Sequence, residues 1–564
     1  MKSGLSALIV VLFILPGRHP AQVPVPDLKA AIKTSLNNGL DPAFGAVTPL
    51  ALGELEDLYR RRDHLPLWID ASGLLGLGAG DALTILRDAA DDGLEPADYA
   101  VAQLDRLMSK LRAPPTSIAD LASFDVALSA SLLRYLHHLH AGRVDPRTIG
   151  LRLTVPADQH DFAALLQSAA AGHRISEAVA ELRPPLAQYR ALRTTLTRYR
   201  SLAREMDSPP MALPAFARAV HSGDPYAGGD ALRRLLVALG DLPAGAVAPA
   251  GSTVYGGALV DAVKRFQRRH GLAQDGVIGQ STHAALAIPI ATRVRQIELA
   301  LERLRWLPHL GDQRLLAINI PMFRLWAWDA IPPDGDPLFG MDVIVGRALR
   351  TPTPVFVEQL REVIFRPYWN VPPSIVRQEI LPILARDRDY LRRQQMEIVR
   401  GPGDDARVVA GTAEHFVMLR QGVLRLRQRP GPQNALGLVK FVFPNAENVY
   451  LHGTPAPALF GRSRRDFSHG CVRVKNPMAL AEWALKDQPE WTRDRIVSAM
   501  NGTQSTHVLL PRPIQVVLFY TTAAVMPDDG TIRFAEDIYR HDALLDGVLA
   551  RKRSADAEAG VRRR

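Results

Sequence analysis

Between residues 26 and 240 the apolar positions recur at helical spacing. The stretch 123–146 (SFDVALSASLLRYLHHLHAGRVDP) carries them along one helical face and stops at Gly142 and Pro146. The stretch 181–203 starts at a proline pair and continues as a helix with a basic face, which reads as solvated surface. A Gly/Ala/Pro-rich stretch, 240–257, reads as a linker. In the compact unit 258–286, Leu259, Val263 and Phe266 share a helical face, Gly271, Gly276 and Gly279 punctuate turns, and Thr282 begins a second short helix. An amphipathic helix over 292–308 ends at Pro308.

From about residue 315 the period changes. LLAINI, FRLWAW, DVIVG, EVIFRPYW, LVKFVF, NVYLHG and IQVVLFY are short runs rich in β-branched and aromatic residues, bounded by Gly, Pro and Asn, and read as strands. Residues 376–435 interrupt them with a charged helical run (ILARDRDYLRRQQMEIV) and then Gly- and Arg-rich loops. An insertion of that length reads as a lid. The residues 551–564 read as a disordered basic tail.

Residues 5–15 form an apolar run behind Lys2 and before Pro16-Gly17, the layout of a secretory signal peptide. The run is shorter than the ~20 residues a spanning helix needs. A signal peptide over 1–21 implies an exported protein in the periplasm, with retention as an N-terminal anchor as the alternative. Apolar residues make up 47% and charged residues 22%, which excludes a wholly disordered chain. The net charge of +10 is spread along the sequence and selects no partner by itself. Export makes nucleic acid an unsuitable one. A single cysteine excludes intramolecular disulfides and multi-cysteine metal sites.

That cysteine, Cys471, sits in Phe467-Ser468-His469-Gly470-Cys471-Val472-Arg473, downstream of Tyr450-Leu451-His452-Gly453-Thr454. Two histidines and an arginine thus lie near one thiol in sequence. A free thiol has a pKa of about 8.5, so a nearby imidazole or cation is what makes it a nucleophile at neutral pH. Gly470 permits an unusual turn whose N–H groups can hold a developing oxyanion. A small buried hydrophobe is the bland alternative for a lone cysteine. With no HExxH and no second cysteine, a metal site is not expected.

His452, fifteen intervening residues and Ser468-His469-Gly470-Cys471 resemble the signature of L,D-transpeptidases with a YkuD-like catalytic domain. Trp369-Asn370-Val371-Pro372-Pro373-Ser374-Ile375 and Ile318-Asn319-Ile320-Pro321 are similar to motifs of the large periplasmic subgroup. So are Pro66-Leu67-Trp68, Gly93-Leu94-Glu95-Pro96-Ala97-Asp98-Tyr99 and Gly142-Arg143-Val144-Asp145-Pro146, which look like its helical scaffold. The unit around 258–286 resembles a small three-helix peptidoglycan-binding domain. The resemblance implies a multidomain α+β chain: signal peptide 1–21, helical scaffold 26–240, peptidoglycan-binding domain 245–290, connecting helix 291–310, a mainly β catalytic domain 314–525 with the lid-like insertion 376–435, and a C-terminal segment 526–564.

The resemblance also implies roles. Cys471 is the nucleophile, His452 its general base, and Gly453 orients His452 through its carbonyl. His469 and Gly470 shape the turn, with the Cys471 amide as oxyanion donor; a purely structural His469 is the alternative. Arg473 serves site architecture or binds a substrate carboxylate. Ser468, Tyr450, Trp369 and Asn370 are candidates for the cleft, with a packed core as the alternative for Trp369. No cofactor is implied. The implied partners are peptidoglycan stem peptides, with a tetrapeptide donor and a meso-diaminopimelate acceptor, together with the glycan, and carbapenems as acylating agents of Cys471. The implied reaction is 3–3 cross-linking in cell-wall biogenesis. L,D-carboxypeptidase, D-amino-acid exchange, lipoprotein anchoring and a non-catalytic wall-binding scaffold remain alternatives.

Overall fold

The computed structural model describes residues 25–561 apart from 40, 42–43, 45–48, 114–116, 154–159, 207–212, 247–253, 308–309, 311–312 and 331–335. The expected signal peptide, the middle of the expected linker, Pro308 and the last three residues lie outside the described residues. Among those described, no helix is long and apolar enough to cross a membrane.

The N-terminal core is a helical bundle built around Ile118–Ala141. Ser117 caps that helix by accepting from the Asp120 amide, and Gly142, at φ +85°, ends it. Asp125 is fully buried on it and accepts from the Leu67 and Trp68 amides and from the Tyr59 hydroxyl at 2.6 Å. Trp68 Nε1 donates to Ser129 Oγ. The Pro66-Leu67-Trp68 motif is therefore a packing post of this bundle.

A second core begins after Pro184-Pro185. Helices Ala187–Met206, Gly229–Leu239, Ala258–Arg269, Gln280–Leu286 and Ile290–Leu304 share one apolar cluster. Leu232, Leu235, Leu236 and Leu239, ahead of the expected boundary at 245, pack in the same core as Leu259, Val263 and Phe266. The arginines of Ala187–Met206 are not simply solvated either. Arg193 pairs with the fully buried Asp92 at 2.7 Å and Arg200 with Glu298 at 2.8 Å. The two cores meet at a buried polar network in which Glu302 receives Arg143 and Arg305, and Arg305 reaches the Tyr189 hydroxyl. A Cβ at Gly142 would stand 2.8 Å from Trp306 Nε1, so only glycine lets the bundle close onto this helix. Removing one partner from such a network typically costs about 3–5 kcal/mol.

The third core is a nine-stranded sheet among the described residues. Its strands begin with β1 (Leu315–Asn319), β2 (Arg324–Trp328), β3 (Phe339–Gly346) and β4 (Phe356–Phe365). An inserted subdomain then contributes β5 (Trp369–Asn370), β6 (Met396–Arg400), β7 (Arg407–Val409) and β8 (Arg425–Gln428). The main sheet resumes with β9 (Val439–Val442), β10 (Leu451–His452), β11 (Asp466–Ser468), β12 (Val472–Val474) and β13 (Thr506–Phe519). The order is β11-β3-β12-β10-β9-β4-β13-β1-β2, and β2 also pairs with β3, so the order closes on itself. β13 slips register between Leu509 and Ile514, where Pro511 and Pro513 cannot donate to the ladder.

The insertion is a small α/β unit with its own sheet, order β5-β8-β6-β7, over an apolar core including Ile375, Ile380, Leu384, Ile398, Leu419 and Leu426. The expected helix over 383–399 stops short. Gln395 takes a left-handed φ of +52°, and Met396–Arg400 becomes a strand paired with β8. The Arg-rich stretch is strand rather than loop there, because Arg427 buries its guanidinium on the Tyr368 ring and pairs with Glu397 at 3.0 Å.

The hairpin β14 (Ala523–Val525) and β15 (Ile532–Phe534) leaves the nine-stranded sheet and inserts Ala523, Ile532 and Phe534 into the second core. Of the expected disordered tail, residues 551–561 are instead part of a helix, His541–Val561. Leu545 and Leu549 anchor it in the third core, and Lys552 Nζ donates to the Arg143 carbonyl at 2.6 Å.

Candidate active site around Cys471

The turn His469-Gly470-Cys471 joins β11 to β12. Gly470 sits at φ +114°, which favours a residue without Cβ. Two clamps fix the turn. Ser468 Oγ accepts from the Gly470 amide at 3.2 Å and donates to the Cys471 carbonyl. From the loop after β3, Thr351 Oγ1 donates to the Ser468 carbonyl at 3.0 Å and Thr353 Oγ1 to the Gly470 carbonyl at 2.7 Å.

β10 lies between β9 and β12. His452 stands opposite Lys440 on one side and Arg473 on the other. This register puts a row of three basic side chains across neighbouring strands. His452 is 4% exposed. Its Nδ1 lies 2.6 Å from the Gly453 carbonyl oxygen. A carbonyl only accepts, so Nδ1 carries the proton and Nε2 is left as the basic nitrogen. Gly453 is itself held by its amide donating to the Val439 carbonyl at 2.9 Å.

Cys471 is partly exposed. Among the described residues its sulfur meets the Asn448 carbonyl at 3.8 Å and the Tyr450 hydroxyl. The Tyr450 and His452 rings are 5.7 Å apart, and Lys440 Nζ lies 4.0 Å over the Tyr450 ring. Burial pushes the Cys471 thiol pKa up, against hydrogen bonds from Tyr450 and the charges of Lys440 and Arg473. Burial, reinforced by Arg473, pulls His452 down to about 3. The sulfur opens to solvent on one side yet is surrounded by enough protein to disfavour its charged form. Both shifts favour the neutral thiol and neutral imidazole over a resting ion pair.

Arg473 is largely enclosed, and its Nε has no hydrogen-bond partner among the described residues. Burial and the neighbouring Arg347 lower its pKa. A guanidinium with an unpaired Nε beside a second guanidinium is a place where an anion is stabilised.

His469 Nε2 meets Glu379 Oε1 of the insertion at 2.6 Å. Trp369 and Asn370 lie on β5, in the sheet of the insertion. Trp369 packs against its apolar core, and Asn370 Oδ1 accepts from Arg425 at 3.3 Å. Sequence reasoning missed Lys440, Thr353, Arg347 and Glu379. Only Lys440 left a trace: one charge on the polar face of LVKFVF, beside the catalytic motif's strand.

Comparison with known proteins follows the same partition. Residues 53–196 match a scaffold domain, 230–286 a family described as "Putative peptidoglycan binding domain", and 313–500 the L,D-transpeptidase catalytic domain, YkuD. A Haemophilus influenzae protein named "Putative L,D-transpeptidase" is 31% identical over 252 residues, 45% of this chain and 49% of that protein. The match thus spans about half the length of that curated relative. A crystal structure of an L,D-transpeptidase from Xylanimonas cellulosilytica aligns over 54% of this chain and 100% of that chain, at 18% identity and a TM-score of 0.17, too low to carry an argument.

Proposed function

We propose, for a chain that carries an L,D-transpeptidase catalytic domain and a peptidoglycan-binding domain, that it forms 3–3 cross-links between peptidoglycan stems through an acyl-enzyme on Cys471. The observation that carries the reading is the pairing of β10 with β12. It sets the buried His452, with its Nδ1 tied to Gly453, beside the strand that follows the nucleophile turn.

The neutral thiol and imidazole favour general-base attack over a preformed thiolate. Cys471 sulfur attacks the carbonyl of the third, meso-diaminopimelate residue of a tetrapeptide stem while His452 Nε2 takes the thiol proton. The tetrahedral oxyanion is held by the Cys471 amide, since the Gly470 amide is already spent on Ser468 Oγ. His452 returns the proton to the departing D-alanine amine, leaving a thioester. A side-chain amine of a second stem then attacks the thioester, passes its proton through His452 to sulfur, and restores the thiol. One amide bond is broken and one formed, so no external energy source is needed. Arg473, with Arg347 near it, supplies positive charge for a stem carboxylate. The 229–286 unit holds wall polymer near the cleft and raises its local concentration. The reading places the protein in the periplasm, on the signal-like 1–21 segment, and makes carbapenems acylating agents of Cys471.

Incubation with disaccharide-tetrapeptide, read by mass spectrometry, tests this. A dimer lacking one D-alanine, formed by the protein and not by Cys471→Ala, supports it. Cys471-dependent tripeptide without dimer replaces transfer by hydrolysis. No product from either protein sinks the enzymatic reading.

A further inference from the structure

We propose that Glu379 is a positioning residue for the nucleophile turn: its carboxylate holds His469 and couples the placement of the inserted subdomain to the geometry around Cys471. The inference rests on the reading of Cys471 as the nucleophile.

The contact joins two elements 90 residues apart in sequence. Glu379 lies on a π-helical turn, Val376–Ile380, flanked by helical turns on both sides. A π-turn inserts an extra residue and re-aims the side chains after it, and such turns concentrate at functional sites. Here the apolar side chains of the turn, Val376 and Ile380, stay in the insertion's core while Glu379 points away from it to His469. The Glu379 end is therefore anchored.

The His469 end is anchored too, but only through its backbone. Ser468 and Thr353 fix the carbonyls and amide on either side of Gly470. The His469 side chain projects from this fixed turn, 30% exposed, and its described partner is Glu379. With Nε2 bound to a carboxylate oxygen, the ring rotation is set. A ring free to rotate leaves the turn that carries Cys471 without its side-chain tie to the insertion.

A second attachment makes the role separable. His507 of β13 meets Glu362 of β4 at 2.7 Å and Asp404 of the β6–β7 turn at 3.1 Å. At the root of the insertion, Asn434 Nδ2 donates to the Pro367 carbonyl at 3.1 Å. Loss of Glu379 therefore frees the nucleophile side of the insertion without releasing the subdomain.

Position and charge are separated by two conservative variants. Glu379→Gln keeps the length and an acceptor oxygen but loses the charge. Glu379→Asp keeps the charge but falls one methylene short. Because Cys471 is the only cysteine, its alkylation by iodoacetamide reports the geometry of the turn without any assumption about substrate. The full chain and the three variants Glu379→Ala, Glu379→Gln and Glu379→Asp are compared, with the midpoint of thermal unfolding as a check of folding. Positioning predicts that Ala and Asp change the alkylation rate by roughly two- to fivefold, the scale of a half-exposed charged hydrogen bond, and that Gln stays near wild type. The same ranking is expected for the ratio of dimer to tripeptide from disaccharide-tetrapeptide. Ala and Gln altered with Asp normal would make charge the cause and overturn the proposal. Equal rates in all four proteins would overturn it as well. A wild-type protein that yields no product but shows the predicted alkylation ranking would fail the catalytic reading and leave the positioning intact.

Discussion

Lys440 holds its ammonium 4.0 Å above the Tyr450 ring, and the Tyr450 hydroxyl in turn reaches the Cys471 sulfur. The lysine thus orients the donor that supports the thiolate and adds its own charge to that support. Lys440→Met keeps the stem and removes both effects. Without that support the thiol pKa rises further, and Cys471 alkylation at neutral pH slows by roughly three- to tenfold. Stopped-flow or timed quench with iodoacetamide reads this directly. An unchanged rate would remove Lys440 from the electrostatics of the site.

Gly437 tests the orientation of His452. It sits at φ +65°, and a Cβ there would lie 2.5 Å from the Thr454 amide nitrogen and 2.7 Å from the Gly453 carbonyl carbon. That carbonyl is the one holding His452 Nδ1. Gly437→Ala should cost about 2 kcal/mol of stability and, by displacing the imidazole, about a hundredfold in acylation. Gly271→Ala is the control. It also has a positive φ, +63°, but has open space around it, so it should lose stability and keep the acylation rate of the folded enzyme.

Acid should destabilise the fold before it touches the carboxylates. Burial holds His452 at about 3, and burial with Arg293 and Arg269 nearby holds His270 well below 6.5. In the unfolded chain both titrate near 6.5. Below that value the unfolded state binds protons the folded state refuses, so stability is full above 6.5 and is lost as pH falls toward the folded values. Each group contributes a slope of up to about 1.4 kcal/mol per pH unit. His507 has the opposite sign: its carboxylate partners raise its pKa against the opposing effect of burial, and its contribution fades as pH rises through the folded value. Thermal unfolding from pH 7.5 down to 5 should show a falling midpoint. His270→Phe should flatten that fall, and an equal slope in the variant would contradict the assignment.

Phe534 carries the hairpin's grip on the peptidoglycan-binding unit. Its ring stacks with His270 at 5.6 Å, meets Tyr199 edge-on at 5.5 Å and lies 4.9 Å under the Arg293 guanidinium. Phe534→Ala should cost about 3–5 kcal/mol and raise hydrogen exchange across 229–286, although the residue belongs to a strand that follows the catalytic sheet. Exchange confined to the hairpin would mean that the unit folds independently.

The strands of the catalytic sheet were legible because each is a short β-branched or aromatic run between turn formers, and the long buried helix because Gly142 and Pro146 stop it. The helix expected through Val399 failed because local charge pattern carries no information about β8, its partner almost thirty residues on. The tail failed for a similar reason: nothing near residue 552 announces the Arg143 carbonyl. Cys471 and His452 stand out in the sequence through the resemblance of their motif to a family signature. Glu379 and Thr353 could not, since one glutamate and one threonine are unremarkable until the fold brings them to the same turn.

Order of synthesis gives the helix His541–Val561 a further meaning. Its Lys552 binds a carbonyl 409 residues upstream, and its Asp542 pairs with Arg303 at 2.5 Å. The N-terminal bundle and the second core can begin to pack as the chain emerges, but the seam between them and the catalytic sheet closes only after this helix has been made. Completion is therefore set by contacts of very high sequence separation, which are slow to form. Until that helix docks, the Arg143–Glu302 seam lacks the cover that Lys552 gives it.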